Sequence, residues 1–183
     1  FVLSQALRDK LPSWLSFAKI RAAYAEVGSD TDVQPYSNNL FYNINTLLFG
    51  TSPLGSIAGS VVPNANLRPM RVSEKEAGLE LKLFDYRLGI DISYYDKLSS
   101  DQILRKQASN AGGFLTELVN VGKSRNQGVE LLIDVDAVNT THFKWNSVVN
   151  FAYNKSEVLD LGGLSEITVG TGEFTGELRQ VVG

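Results

Sequence analysis

Three stretches of the chain carry an aromatic residue at each end of a period-two pattern. Every second residue between the aromatics is mainly apolar or small, and most of the residues in between are polar or small. The aromatic pairs are Trp14 with Tyr24, Tyr86 with Tyr94, and Trp145 with Tyr153. A period of two predicts β-strands that have one apolar and one more polar face.

The aromatic ends of these stretches indicate a membrane. A strand of about ten residues, tilted by about 40°, rises about 20–25 Å, which is the height of the apolar band of an outer-membrane barrel. Trp and Tyr suit both interfaces because an apolar ring carries a polar group that reaches water. We therefore predict that the six aromatic residues lie at the membrane interfaces. An antiparallel sheet packed on a soluble core has the same alternation and remains an alternative.

Composition narrows the possible classes of protein. The 183 residues contain no run of eighteen apolar residues, so any crossing of a membrane would be made by strands. A net charge of -3 without a basic patch argues against a nucleic-acid partner. The absence of cysteine excludes disulfides, thiolate nucleophiles and cysteine metal sites.

Two further alternating segments bring the number of predicted strands to five. The predicted strands lie near residues 14–27, 74–83, 86–96, 125–137 and 143–154. Ser73 and Glu76 have the spacing of a helix capping box, but the apolar residues that follow recur every second position, which favours a strand. Short turns, Phe84–Asp85 and Val138–His142, alternate with long loops at residues 28–73 and 97–124. In outer-membrane barrels the short turns are periplasmic and the long loops are extracellular.

Five strands cannot close a barrel, because the smallest outer-membrane barrels have about eight and lipid cannot satisfy open strand edges. The predicted fold is therefore all-β, an antiparallel transmembrane β-barrel segment that belongs to a larger barrel. We expect residues 1–183 to form one partial barrel domain. No plug domain and no signal-peptide pattern is recognised in the sequence.

Several motifs follow one another along the chain: LPSWLSFAKIRAAYAEVGSDTD (11–32), PNANLRP (63–69), EKEAGLELKLFDYRLGIDISYYDKLSSDQIL (74–104), VNVGKSRNQGVELLIDV (119–135) and FKWNSVVNFAYNKSEVLDL (143–161). In this order they resemble the SusC/RagA family of TonB-dependent outer-membrane transporters of Bacteroidetes. The resemblance implies a barrel of about 22 strands with an amino-terminal plug. This chain would be an internal portion of the carboxy-terminal half. Met70 departs from the family, which commonly has Glu at that position.

The resemblance also implies a function, the import of oligosaccharides or peptides. Import would be powered through TonB beneath a SusD-like surface lipoprotein that acts as a lid. The expected partners are that lipoprotein, TonB through parts absent here, outer-membrane lipid and the oligosaccharide or peptide substrate. A soluble β-sandwich binding module and a passive porin or adhesin barrel remain as alternatives.

Catalytic chemistry is not predicted. His142 is the only histidine and lies in a predicted short turn, which suits an exposed turn residue better than a catalytic base or a metal ligand. We therefore expect no enzymatic activity, no metal site and no cofactor.

Two groups of residues are candidates for lining the lumen or binding substrate. The polar strand faces supply Lys19, Arg21, Glu76, Glu80, Lys82, Arg87, Asp91, Glu130, Asp134, Lys144, Asn146 and Asn150. The first long loop supplies the aromatic and amide side chains of Tyr36, Asn38, Asn39, Phe41, Tyr42, Asn43 and Asn45. Recognition usually resides on loops held by a rigid scaffold, which favours this cluster for substrate contacts.

Overall fold

The computed structural model describes residues 1–7, 10–31, 33–172 and 176–183, and this part of the chain is nearly all β-structure. Its elements are α1 (Leu3–Ala6), β1 (Leu15–Ser29), β2 (Tyr42–Phe49), β3 (Ser52–Ile57), β4 (Val61–Val62), β5 (Met70–Leu83), β6 (Leu88–Gln107), β7 (Thr116–Asn139), β8 (Lys144–Leu161), β9 (Glu166–Gly172) and β10 (Gly176–Val181), with a short 3-10 turn at Asn110–Gly112. Within these described ranges no helix has the length and apolar character needed to span a membrane.

The chain divides into two compact units. The first unit comprises Phe1–Glu26, Ser73–Leu98 and Arg125–Glu157, and the second comprises Val27–Val72, Ser99–Ser124 and Val158–Gly183. In the first unit the strand segments are neighbours in the order β1, β5, β6, β7 and β8. Strands β5 to β8 therefore pair in the order of the sequence, as expected when short turns join antiparallel neighbours. The predicted fold class, an antiparallel barrel segment, is confirmed.

Three smaller pairings lie in the described part of the second unit. Strand β4 lies parallel to β7, with Val61 opposite Thr116. Strands β2 and β3 form an antiparallel hairpin in which Tyr42 lies opposite Ile57. Strands β9 and β10 form a second antiparallel pair.

The strands are longer than the alternation predicts. Strand β6 continues to Gln107 and β7 begins at Thr116, so most of the predicted loop at 97–124 is strand. Polar side chains are common on both faces of these extensions, and the period-two signal is therefore lost. Their backbone groups still pair with neighbouring strands, which keeps the chain extended. The predicted loop at 28–73 likewise contains the β2–β3 hairpin and β4.

The turn between β5 and β6 is longer than predicted. Phe84, Asp85 and Tyr86 have φ angles of 53°, 54° and 67°, in the left-handed region, and β6 begins only at Leu88. The Phe84 amide donates a 2.8 Å hydrogen bond to the carbonyl of Trp14. The prediction that Tyr86 begins a strand is therefore wrong, because the chain reverses through three consecutive left-handed residues.

The turn between β7 and β8 falls near its predicted place. Strand β7 ends at Asn139 and β8 begins at Lys144. The Thr140 amide donates a 2.9 Å hydrogen bond to the Phe143 carbonyl, and the Thr140 hydroxyl accepts one of 3.0 Å from the Phe143 amide. His142 is exposed in this turn.

The apolar face of the first unit is exposed. Val149 and Phe151 are 58% and 57% accessible, and Ile92 is also exposed. A soluble β-sandwich would bury these side chains against a second sheet. Their exposure excludes that alternative for the described part of this unit.

Candidate lumen face and ligand cavity

The polar face of the first unit carries an ion pair that spans three strands. Arg21 on β1 donates hydrogen bonds of 2.9 and 2.6 Å to the two carboxylate oxygens of Asp91 on β6. The guanidinium crosses Gly78 on β5, where a Cβ atom would lie 2.8 Å from the arginine Nε. A planar guanidinium is well suited to such a bidentate contact with a carboxylate. Glycine on the middle strand gives the arginine room to pass.

Tyr95 repeats this arrangement two strands further along the sheet, from β6 across β7 to β8. Its ring lies over the buried Gly128 of β7, so closely that a Cβ atom there would overlap the ring. The Tyr95 hydroxyl accepts a 3.0 Å hydrogen bond from Asn154 Nδ2 on β8. We call the Arg21–Asp91 and Tyr95–Asn154 contacts the cross-strand bridges. The second bridge was not predicted, although a glycine inside an alternating strand, such as Gly128, can mark a close approach of another group.

Two predicted lysines of this face lie close to residues of neighbouring strands. Lys19 lies 3.9 Å from a carboxylate oxygen of Glu80. The Lys82 ammonium lies over Gly89, where a Cβ atom would be 2.8 Å from Nζ.

Asn146 bridges two carboxylates on the same face. Its Nδ2 donates hydrogen bonds of 2.7 Å to Asp134 and 2.9 Å to Asp136. Much of the polar face is thus held by contacts between its own side chains.

Concave surface is present in the described part of the first unit. A cavity of ≈ 570 Å³ is lined by Arg21, Asp91, Ser93, Glu130, Leu132 and Asn150, among others. A smaller one of ≈ 380 Å³ includes Glu76, Lys97 and Asn126. The structure therefore places the predicted residues Glu76, Glu130 and Asn150 on concave surface. In the described ranges no group of three or more acidic or histidine side chains is arranged to hold a metal ion.

The predicted loop cluster divides in the second unit. Tyr36 and Asn38 line a cavity of ≈ 500 Å³ together with Arg68. Phe41 and Tyr42 do not line it; Tyr42 is the first residue of β2 and is exposed. The cluster was predicted from neighbouring positions, and the hairpin that separates its members has no clear signal in the sequence.

Asn39, Asn43 and Asn45 complete the predicted loop cluster. Asn39 donates its backbone amide to the carbonyl of Tyr36 at 3.0 Å. Asn43 and Asn45 lie on β2. None of the three lines the cavity.

A second ion pair lies on the apolar face of the first unit. Its acid, Asp96, is two residues beyond Tyr94 in the same strand. Arg125 donates hydrogen bonds of 2.8 and 2.7 Å from Nε and Nη2 to the carboxylate of Asp96.

The six terminal aromatic residues are all exposed. Their place at the membrane interfaces remains a prediction.

Comparison with known proteins identifies the family. A family model for the TonB dependent receptor-like β-barrel matches residues 9–177. The chain belongs to the TonB-dependent receptor β-barrel family. The family that the sequence motifs indicate and the predicted outer-membrane location are thereby confirmed.

Related TonB-dependent receptors occur in Formosa agariphila. The chain is 32% identical over 168 residues to TonB-dependent receptor P26 of that organism, which covers 90% of this chain and 17% of the relative. It is 26% identical over 153 residues to TonB-dependent receptor P39, which covers 81% of this chain and 14% of the relative. The chain thus spans less than a fifth of the length of these receptors.

Solved structures share the fold of this receptor chain. The RagAB peptide importer in its open-open state superposes with a TM-score of 0.81 at 22% identity, over 100% of this chain and 19% of that chain. A second structure of the RagAB peptide transporter has a TM-score of 0.79 at 22% identity, with the same coverage. The described strands therefore have the arrangement of a wall segment in a much larger barrel.

Proposed function

We propose that this chain forms part of the wall of an outer-membrane importer that takes up oligosaccharides. The observation that carries the proposal is the family match over residues 9–177. The exposed apolar face of the first unit supports it, because a barrel wall in lipid needs no second layer over that face. Energy would be delivered through TonB, and capture would occur beneath a SusD-like lipoprotein lid.

The polar face suits a passive role in this mechanism. Arg21 is paired with Asp91, and Lys19 lies near Glu80. Charges that neutralise one another leave no strong field of one sign, which suits a wall around a moving plug better than an ion-selective pore. In this proposal the loops capture the substrate and TonB displaces the plug, so the wall contributes shape and rigidity.

Uptake by cells that carry the full-length gene tests the proposal. We expect import of a labelled oligosaccharide to cease when TonB is depleted and to fall sharply when a SusD-like lipoprotein gene encoded beside it is deleted. A passive porin would continue to admit the sugar without TonB. Import that persists at the wild-type rate after TonB depletion would therefore refute energy-coupled uptake.

Peptide import is the second candidate. Peptide import is favoured by the likeness to the RagAB peptide transporter. At 22% identity this likeness concerns the fold alone. Competition separates the two substrates, with unlabelled oligosaccharides and unlabelled peptides added in turn to the uptake assay. Inhibition by peptides alone would favour the second candidate.

A further inference from the structure

The cavity in the second unit has the size and chemistry of a binding site. Its volume is ≈ 500 Å³, within the range of about 300–1,000 Å³ that small-molecule sites occupy. Polar side chains on its walls include Asp30, Gln34, Asn38 and Arg68. Leu67 and Ile103 are among the apolar side chains that complete the lining. Such a mixture of apolar surface with a few polar groups is typical of ligand sites.

The Leu67–Pro69 side of the cavity is held by asparagine side chains. Asn120 Oδ1 accepts a 2.9 Å hydrogen bond from the Arg68 amide, and Asn120 Nδ2 donates bonds of 2.8 Å to the carbonyls of Arg68 and Asp101. Asn64 Nδ2 donates a 3.0 Å bond to the Leu118 carbonyl. These contacts attach the segment 63–69 to neighbouring backbone. A site fixed before the ligand arrives loses less entropy on binding.

Tyr36 presents an aromatic ring at the same cavity. Its side chain is 72% accessible, and its φ angle of 65° lies in the left-handed region. The turn around it is closed by a 2.7 Å hydrogen bond from the Ser37 hydroxyl to the Gln34 carbonyl. Non-glycine residues seldom adopt this conformation, and such outliers concentrate at ligand sites. The strained backbone holds the ring in an exposed position.

The lining discriminates between classes of ligand. Among the described lining residues, only Ile103 belongs to a strand, so the cavity offers no free strand edge of the kind that reads a peptide backbone. The charged groups among these residues are one cation, Arg68, and one anion, Asp30. Arg68 also lies 3.4 Å from Asp101, which reduces its attraction for a second carboxylate.

We propose that this cavity is a subsite for a neutral oligosaccharide. The C–H face of a sugar ring packs on Tyr36, and its hydroxyls, which both donate and accept, pair with the amides of Gln34 and Asn38. The inference rests on the proposed import function, to which it adds a location and a preference for uncharged over acidic sugars.

Binding by the full-length receptor tests this subsite. A printed array of neutral glycans, acidic glycans and short peptides is probed first, and the strongest ligand is then titrated by calorimetry. We expect a neutral glycan to bind most tightly and Tyr36→Ala to weaken it at least tenfold. Tyr42→Ala is the matched control, because Tyr42 is an equally exposed tyrosine of the second unit that does not line the cavity. We expect the control to bind as the wild type does.

The Asp30→Asn variant is judged by the ratio of its affinities for two ligands, and this ratio does not depend on how much of the protein is folded. Removing this carboxylate is expected to raise the affinity for a galacturonic acid trisaccharide relative to its uncharged galactose counterpart. The proposal is overturned if no neutral glycan on the array binds, if the strongest ligand is acidic or a peptide, or if Tyr36→Ala and Tyr42→Ala have equal effects.

Uptake separates this inference from the proposed function. Import that depends on TonB but has an unchanged KM in Tyr36→Ala cells overturns the subsite and leaves the importer standing. If Tyr36→Ala abolishes binding but uptake does not depend on TonB, the importer proposal is overturned and the subsite is supported.

Discussion

Arg21 binds both carboxylate oxygens of Asp91, although the two residues lie on strands separated by a third. The contact depends on Gly78, the residue of the intervening strand over which the guanidinium passes. Side chains of neighbouring strands commonly interact in pairs. Here one side chain connects three strands at once.

Gly78→Ala is expected to destabilise the barrel by about 1–3 kcal/mol, because the new methyl group displaces Arg21 from Asp91. The measurement is the urea midpoint of unfolding of the full-length receptor in detergent. Gly112→Ala is the control, since nothing lies within 4 Å of a Cβ atom at that position. Equal midpoints for the two variants would contradict the steric argument.

Gly128→Ala is expected to destabilise the receptor through overlap with the Tyr95 ring. The double variant Gly128→Ala, Tyr95→Ala removes the overlap, so its loss of stability should be smaller than the sum of the two single losses by about 1 kcal/mol or more. Additive losses would show that the ring does not restrict this position. Tyr95→Phe measures the Asn154 hydrogen bond alone, with an expected loss of about 0.5–1.5 kcal/mol.

Val149→Arg is expected to hinder insertion into a bilayer by about 2–4 kcal/mol, the cost of a cation facing lipid near mid-depth. Val148→Arg is the matched control, because Val148 is 60% exposed against 58% for Val149 but lies on the opposite face of the same strand. Folding yields in lipid vesicles measure the difference. If both variants fold equally well, the apolar face does not contact lipid.

Asn120→Ala is expected to leave the Arg68 amide without its acceptor. Amide hydrogen exchange in the peptide that covers residues 64–70 should become about tenfold faster, because local opening there loses hydrogen bonds worth about 1 kcal/mol each. Asn66→Ala is the comparison, since Asn66 contributes only its backbone amide to the hydrogen bonds described for this segment. Unchanged exchange in Asn120→Ala would show that other contacts hold the segment.

Period-two alternation was sufficient to place Arg21 and Asp91 on one face, because parity is a local property of each strand. Their pairing depends on which strands are neighbours and how they are aligned, and alternation within a single strand does not report this. Tyr95 was missed for a similar reason, since its contact with Asn154 depends on a glycine of a different strand.

The ends of the strands were predicted less well than their centres. Residues such as Ser99 and Gln107 are polar on a segment with little apolar alternation, so the sequence resembles a loop while the backbone still pairs. The cavity partners of Tyr36 were also beyond local reasoning. Arg68 was noticed only within the family motif at 63–69, and its nearness to Tyr36 arises from the tertiary fold.

The cross-strand bridges have a consequence for assembly. A strand that pairs one residue out of register turns every side chain to the opposite face. If β1 slipped in this way, Arg21 would face lipid and Asp91 on β6 would lose its partner, so the error would cost both a charge in lipid and an ion pair. The Arg21 side chain can pair only when a glycine lies on the next strand and an acceptor on the strand after it. Its pairing therefore favours the correct alignment of three strands during assembly of the barrel.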